Sequence, residues 1–299
     1  MPATAPERLL DRLDWQVVRR LDGDLQGDYS TLFRGSGMDI AGLREYQPGD
    51  DVRAIDWNVT ARMPVPYVRV HQEERDLTAW FLLDLSPSVD FGTAPGGRDK
   101  RAVLVELSAT LGRVLTRRGN RVGAMLYASA VERTIPPRHG RPQVLRLIGA
   151  LTAEPRRDRA PETDLGVLFT AADKAIHRRS LVVIVSDFLS QPGWEAPLGR
   201  LARRHDVLTV RLVDPREQEL PDVGPVLLVD AETGERLQVD TSDRRLRVRF
   251  REAAAAREAA IRGAFARAGV EAATISTDDD LVAALVRLAH RRRLRRRTA

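Results

Sequence analysis

From residue 76 onward, short apolar runs alternate with longer amphipathic stretches. The first run, Trp80-Phe81-Leu82-Leu83-Asp84-Leu85, is short, mostly apolar and closed by the turn residues Ser86-Pro87-Ser88, which is the form of a buried strand. A helix is predicted over about 98–117, then strands at 121–127 and near 131–135, and a short helix over 141–151. A helix over 164–178 begins directly after Thr163, and the all-apolar strand 181–186 ends at Asp187. A helix near 194–204 leads into strand 206–212. Runs 226–230 and 236–240 flank Thr233-Gly234 and read as a hairpin. A long alanine-rich helix over 243–268, a strand over 270–275 and a last helix from about Asp278 follow, with Thr277 as the expected N-cap and Asp280 in the first turn. Strands alternating with helices predict an α/β class, with a doubly wound, mostly parallel sheet covered on both faces.

The first 75 residues read differently. Leu9, Leu10, Leu13, Val17, Val18 and Leu21 recur at helical spacing and predict an amphipathic helix over 7–22, ended by Gly23 and Gly27. The stretch Leu43 to Trp57, with Ala61-Arg62, is dense in paired opposite charges around a few large apolar residues, and Pro48-Gly49 marks a turn. Residues 66–71 alternate weakly, as a strand would. The expected division is an N-terminal helix and irregular segment over 1–75, an α/β domain over 76–290 and a basic tail over 291–299.

Composition narrows the chemistry. The 299 residues are 43% hydrophobic and 30% charged, enough for a real core. No apolar run approaches the ~20 residues of a membrane span, and the N-terminus lacks the form of a signal peptide. A cytoplasmic protein is therefore expected. The absence of cysteine excludes disulfides, thiolate catalysis and cysteine-zinc sites. The net charge is +6, and Lys100 and Lys174 are the only lysines. The arginines are spread along the chain among 42 acids, so nucleic acid is not an expected partner, and the tail Arg291–Arg297 reads as a solvated cationic helix end.

Three strand ends carry a concentration of oxygen donors. Asp84, Ser86 and Ser88 follow the first strand, Thr163 precedes the helix at 164, and Asp187 closes strand 181–186. In an open parallel sheet, ligands bind past the carboxyl ends of the strands. Two carboxylates and three hydroxyls suit a hard cation, Mg²⁺ or Mn²⁺. A cation held by so few carboxylates would keep Lewis acidity and could accept an acid from another protein. The same serines and threonine are also good N-caps, and Asp187 could cap a turn; what favours a shared site is that every group stands where one would need it. Other chemistries fit less well. Leu85-Ser86 stand where a phosphoaspartate hydrolase would place its second acid, and Arg98-Asp99 replace the Lys-Ser/Thr of a P-loop after Gly92–Gly97. There is no Gly-x-Ser-x-Gly elbow, and the five histidines show no metal-ligand spacing.

Asp84-x-Ser86-x-Ser88 with Thr163 and Asp187 resembles the metal-ion-dependent adhesion site of von Willebrand factor type A domains. Leu43-Arg44-Glu45-Tyr46-Gln47-Pro48-Gly49-Asp50-Asp51-Val52-Arg53-Ala54-Ile55-Asp56-Trp57, with Ala61-Arg62, resembles the signature of the bacterial family called domain of unknown function 58. The resemblance implies a von Willebrand A-like, Rossmann-like sheet with a divalent cation. It makes Asp84, Ser86 and Ser88 the first metal loop, Thr163 the second-loop ligand and Asp187 the third, through a water. It also implies a MoxR-type AAA+ ATPase as partner, in chaperone-like assembly or activation of other proteins. Val89 stands where relatives often have Met, and many relatives carry N-terminal membrane helices, which the pattern of these residues does not lead one to expect here. In the signature, Arg44, Asp50, Asp51, Arg53, Asp56 and Arg62 read as an ion-pair network beside the Gly49 turn, with Trp57 and Tyr46 packed beneath, or else as a partner-docking surface. The expected function is a non-enzymatic, metal-dependent protein-binding module that takes an Asp or Glu of the ATPase or its client. The alternative is a Mg²⁺-dependent hydrolase of phosphoesters, against which these loops offer no general base or nucleophile.

Overall fold

The first amphipathic stretch forms helix α1 (Ala5–Leu13), started by a reciprocal cap in which Thr4 Oγ1 accepts from the Glu7 N–H while the Glu7 carboxylate accepts from the Thr4 N–H. A computed structural model describes residues 4–14, 43–47, 52, 55, 57–69, 77–94, 96–157 and 160–298. The expected continuation of α1 over 15–22 lies outside them. The chain divides into two compact units, Met1–Phe33 with Leu77–Ala299, and Arg34–Asp76. Helix α1, grouped by sequence with the irregular segment, thus belongs to the larger unit, where Leu10 and Leu13 are buried. The smaller unit contains β1 (Leu43–Glu45), one turn of helix α2 (Trp57–Thr60) and β2 (Tyr67–Arg69). Its strands pair antiparallel, with Glu45 opposite Tyr67.

The larger unit continues through β3 (Thr78–Asp84), α3 (Lys100–Arg117), β4 (Arg121–Tyr127), β5 (Val131–Arg138) and α4 (Gly140–Ala153). Next come α5 (Leu165–Ala175), β6 (Leu181–Ser186), α6 (Glu195–Arg204) and β7 (Asp206–Val213). The hairpin β8 (Pro225–Val229) and β9 (Arg236–Asp240) precedes α7 (Arg244–Ala268), β10 (Ala272–Ser276) and α8 (Leu281–Thr298). Six strands form one sheet in the order β10-β7-β6-β3-β4-β5. All neighbours are parallel except β5, which runs antiparallel to β4 along one edge. The class is therefore α/β with a mostly parallel central sheet.

Strand periodicity distributes the core. Phe81, Leu83, Ala124, Leu126, Val183 and Val185 point to the face covered by α1, α3, α4 and α8. Trp80, Leu82, Met125, Tyr127, Val182 and Ile184 point to the face covered by α5, α6 and α7. Because β3 and β6 are buried on both faces, they read as continuous apolar runs. Strand β5 runs to Arg138, past the expected end at 135, and includes Pro136 and Pro137; an edge strand tolerates the missing donors. Opposite them, a Cβ on Gly123 would stand 2.9 Å from Pro137 Cγ, so the register irregularity of this pair needs a glycine there.

The chain order creates a crevice. From β3 the chain steps to β4 and β5 on one side, then returns to place β6 on the other side of β3. Connections leaving the carboxyl ends of β3 and β6 diverge, and this switch point is where open α/β sheets bind ligands. At the far end of the chain, Asp280 rather than Thr277 starts α8, because its Oδ1 accepts from the N–H groups of Val282 and Ala283. The Thr277 hydroxyl instead donates to Asp214 at 2.7 Å. Helical backbone continues through the arginine tail to Thr298. Among the described residues, no helix is long and apolar enough to cross a membrane.

The loop from β3 into α3 is pinned at Gly92, where a Cβ would fall 2.2 Å from Asp99 Cα. Asp99 is the N-cap of α3, its carboxylate accepting from the Ala102 N–H at 2.7 Å. Gly92→Ala must push the start of α3 off the loop. The expected loss is about 1–3 kcal/mol, as for other overpacked sites, measured by urea unfolding.

Candidate functional site

Asp84 is the last residue of β3 and is fully buried. Its Oδ1 accepts from the Ser86 N–H at 2.9 Å, and its Oδ2 accepts from the Ser186 hydroxyl at 2.6 Å. The Ser86 and Ser88 hydroxyls lie 3.2 Å apart. Ser86 precedes a 3-10 turn over Pro87–Asp90 but makes no side-chain cap bond, so capping does not account for its hydroxyl. Thr163 is not the cap of α5 either. Asp164 is, accepting from the Gly166 N–H at 2.8 Å. The Thr163 hydroxyl donates instead to Glu232 Oε1 at 2.6 Å.

Asp187 lies one residue beyond β6. Its Oδ1 accepts from the Leu189 N–H at 3.0 Å, the turn-capping role open to it, while its Oδ2 receives the Lys100 ammonium at 2.7 Å. Lys100 also donates to Glu217 Oε1 at 2.5 Å, and its side chain is fully buried. Between Asp187 and Leu189, Phe188 adopts φ 58°, a left-handed conformation rare for a bulky residue. Such strain, of order 1–3 kcal/mol, persists only where the surroundings enforce it. Here the Phe188 ring packs on Trp194 and Phe265, with centroids 5.3 and 4.7 Å away, and its N–H donates to Ser186 Oγ at 2.8 Å.

The fold thus gathers Asp84, Ser86 and Ser88 beside Asp187 at the switch point, and all five expected donors are buried. Tyr127, at the end of β4, links them to Thr163. Its hydroxyl accepts from the Asp164 N–H at 3.0 Å, and its phenol is held above its usual pKa by burial and by the charges of Asp84, Asp164 and Glu232. Burial, then the neighbouring Asp187 charge, push Asp84 up to about 7. Burial alone would lower the Lys100 ammonium, but Asp187 and Glu217 outweigh it and hold Lys100 above its ordinary value. One ammonium is therefore shared by Asp187 and Glu217, while Asp84 stands beside Asp187 with no cation of its own among the described residues.

This charge deficit is the observation by which a hard divalent cation fits these residues. Such a cation would rest on two carboxylates and hydroxyls; among the described residues there is no group of three or more His, Cys, Asp or Glu placed to hold a metal.

Sequence reasoning missed Lys100, Ser186, Glu217, Glu232 and Tyr127 as parts of this edge. Lys100 did carry a signal. It is one of two lysines in a chain that otherwise uses arginine, and it stands in the first helical turn, where a cation opposes the helix dipole. Glu232 carried none, because a hairpin turn reads as surface.

In the smaller unit, Tyr46 is half-buried and Arg62 is exposed. Trp57 is 67% exposed, against the expectation that it packs beneath an ion-pair network; it opens the single helical turn of α2. Arg44 is in β1. Gly49, Asp50, Asp51, Arg53 and Asp56 lie outside the described residues.

The profile of the family described as "Protein of unknown function DUF58" matches residues 42–260, a span that contains the signature segment and all five candidate donors. The chain belongs to the DUF58 family. Uncharacterized protein Rv1480 of Mycobacterium tuberculosis and uncharacterized protein Mb1516 of Mycobacterium bovis are each 38% identical to this DUF58 chain over 284 residues, covering 95% of it and 89% of the relative. Two solved structures align at 12% identity with a TM-score of 0.47. One is an aerotolerance-related membrane protein from Bacteroides fragilis, with 73% of this chain and 98% of that chain covered. The other is BatB from Bacteroides thetaiotaomicron, with 75% and 100% covered.

Two measurements check the electrostatics of the DUF58 edge. Lys100→Met leaves Asp187 and Glu217 without their cation and is expected to cost about 3–5 kcal/mol in urea unfolding at neutral pH. The second concerns pH. Asp84 binds its proton more tightly when folded than its ordinary value of 3.8 allows, so its contribution to stability is present at low pH and declines as pH rises toward 7. Metal-free protein should show this decline in unfolding experiments, and Asp84→Asn should flatten it.

Proposed function

We propose that this DUF58 chain is a metal-dependent protein-binding module of the von Willebrand factor type A kind, not an enzyme. The observation that carries the reading is the clustering of Asp84, Asp187, Ser86 and Ser88 at the β3–β6 switch point with more negative than positive charge buried there. Asp84, Ser86, Ser88 and Thr163 would hold Mg²⁺ or Mn²⁺, with Asp187 acting through a water. When bound, the cation supplies a Lewis-acidic position that an Asp or Glu of another protein can fill. The protein's own residues do the rest. Ser186 and the Ser86 N–H fix both oxygens of Asp84, Lys100 balances Asp187 and Glu217, and the strained Phe188 turn sets the direction in which Asp187 leaves β6. We assign as partner a MoxR-type AAA+ ATPase or its client protein, in chaperone-like assembly or activation.

One observation favours a second reading, a Mg²⁺-dependent hydrolase of phosphoesters. Asp84, raised to about 7, has the pKa of a general base poised for neutral pH. However, both of its oxygens are engaged by Ser86 and Ser186, which suits a fixed ligand better than a group that must exchange protons with substrate.

Calorimetric titration of Mg²⁺ and Mn²⁺ into wild type and Asp84→Ala separates these readings from a purely structural cluster. Saturable binding that disappears in Asp84→Ala is expected, weakening as pH falls below about 7 because protons compete for the same carboxylate. Equal binding in both proteins, or none, removes the metal reading. Retention of a partner on immobilised protein with Mg²⁺ and its release by chelator is the expected companion result; turnover of a generic phosphoester that is lost in Asp84→Ala would favour the hydrolase.

A further inference from the structure

The β8–β9 hairpin forms a two-stranded sheet of its own and does not join the central sheet. A two-stranded ribbon is marginal by itself, so the contacts of its tip matter. The tip is built to present one residue. Asp230 Oδ1 accepts from the N–H groups of Glu232 and Thr233 at 3.0 and 2.7 Å, and Gly234 takes the left-handed conformation that reverses the chain. The backbone carbonyl of Glu232 accepts from the Ala160 N–H at 3.0 Å. Its carboxylate accepts from both the hydroxyl and the N–H of Thr163, at 2.6 and 3.2 Å.

An acid from the turn of this hairpin therefore already sits on Thr163, the hydroxyl expected to complete the candidate cation site. Among the described residues no cation side chain is among its hydrogen-bond partners there, and the Asp84 and Asp164 charges also lie around Tyr127. Adding a carboxylate to such an edge is electrostatically unfavourable unless positive charge is supplied. All five candidate donors are buried, and Thr163 is the one among them that the tip touches in the described structure.

We propose that Glu232 is an internal stand-in for the partner's carboxylate, and that the β8–β9 hairpin is an autoinhibitory cap which an acidic segment must displace to engage this edge. The proposal rests on the cation-dependent reading above and identifies what regulates it. Seated, the hairpin holds the acid position of the site; lifted, it frees that position and exposes the Thr163 rim.

The test uses the full chain with Mn²⁺ as probe, read by water-proton relaxation, in wild type, Asp84→Ala and E232Q, each with and without acetate as the simplest external carboxylate. With Glu232 in place, protein-bound Mn²⁺ should respond little to acetate. In E232Q the bound ion should show higher relaxivity, because more exchangeable water reaches it, and acetate should lower that relaxivity again. In the metal-free state, the amides of β8 and β9 should exchange with deuterium about tenfold faster in E232Q than in wild type, the effect of losing one charge-assisted hydrogen bond, with β3 and β6 unchanged as the control for folding. Should E232Q lose protection in β3 and β6, E232D, which keeps the charge and shortens the reach, is read by the same criteria. Mn²⁺ binding that depends on Asp84 but is identical in wild type and the Glu232 variant, with the same acetate response, overturns the cap and leaves the metal reading standing. Mn²⁺ binding that is absent, or unaffected by Asp84→Ala, overturns the metal reading and the cap with it.

Discussion

Two carboxylates that water cannot reach, Asp84 and Asp187, sit where β3 and β6 end, and burial together with the Asp187 charge holds Asp84 well above the usual carboxylate range. Much of the surrounding structure answers that problem. Ser186 and the Ser86 N–H each give one oxygen of Asp84 a donor, and the Leu189 N–H and Lys100 do the same for Asp187. The compensation is incomplete. Lys100 is shared with Glu217, so the group as a whole carries more negative than positive charge. A buried charge left uncompensated costs far more than an unpaired charge on the surface, which makes this edge dependent on a proton or a cation.

The supports of the pair come from distant parts of the chain, and the topology explains why they can meet. Placing β6 on the other side of β3 from β4 opens the crevice, and burying both strands on two faces makes their ends rigid. Lys100 reaches in from the first turn of α3, an unfavourable end for a cation with respect to the helix dipole, so its placement is stabilised by Asp187 and Glu217 rather than by the helix. Gly92 and Asp99 fix that first turn against the loop leaving β3. A further carboxylate, joined to this group through the Asp214 N–H that donates to Glu217, closes the neighbouring end of β7. Asp214 accepts from the Thr93 N–H and hydroxyl and from Thr277, and these bonds outweigh its burial and hold it below the usual carboxylate range.

What was legible in the sequence follows from period and position. Runs such as Trp80–Leu83 and Leu181–Ser186 announce strands because both of their faces are buried, and the alternation with helices announces the mostly parallel sheet. Asp84, Ser86, Ser88 and Asp187 were legible because each stands at a strand end. The supports were not. The rarity of lysine marks Lys100 without naming its partner, a glutamate in a hairpin turn is an ordinary surface residue by pattern, and only the three-dimensional path of the chain brings Lys100 to Asp187 and Glu232 to Thr163. Capping was misread at Thr277, and the cap that Thr163 also offered is not made, for one reason: where two polar residues are candidates near a helix start, hydrogen bonds to distant groups decide between them. Thr163 is drawn to Glu232 and Thr277 to Asp214, leaving Asp164 and Asp280 to cap.

On the proposed reading, the donor set favours grip over turnover. Hydroxyls bring no charge to a cation, so a site with two carboxylates and three hydroxyls leaves the cation able to attract a further anion. A catalytic metal would also need a nucleophile or base free to move, and here the acid with the suitable pKa has both oxygens tied by short hydrogen bonds. On the proposed reading, the protein fills both halves of the interaction with its own side chains. The Lys100 ammonium meets Asp187 on the inner side, and the Glu232 carboxylate meets Thr163 on the outer side. An edge that satisfies itself in this way can rest without a partner, and the partner's advantage must then come from the difference between its acid and Glu232, together with whatever surface it covers beyond that single contact.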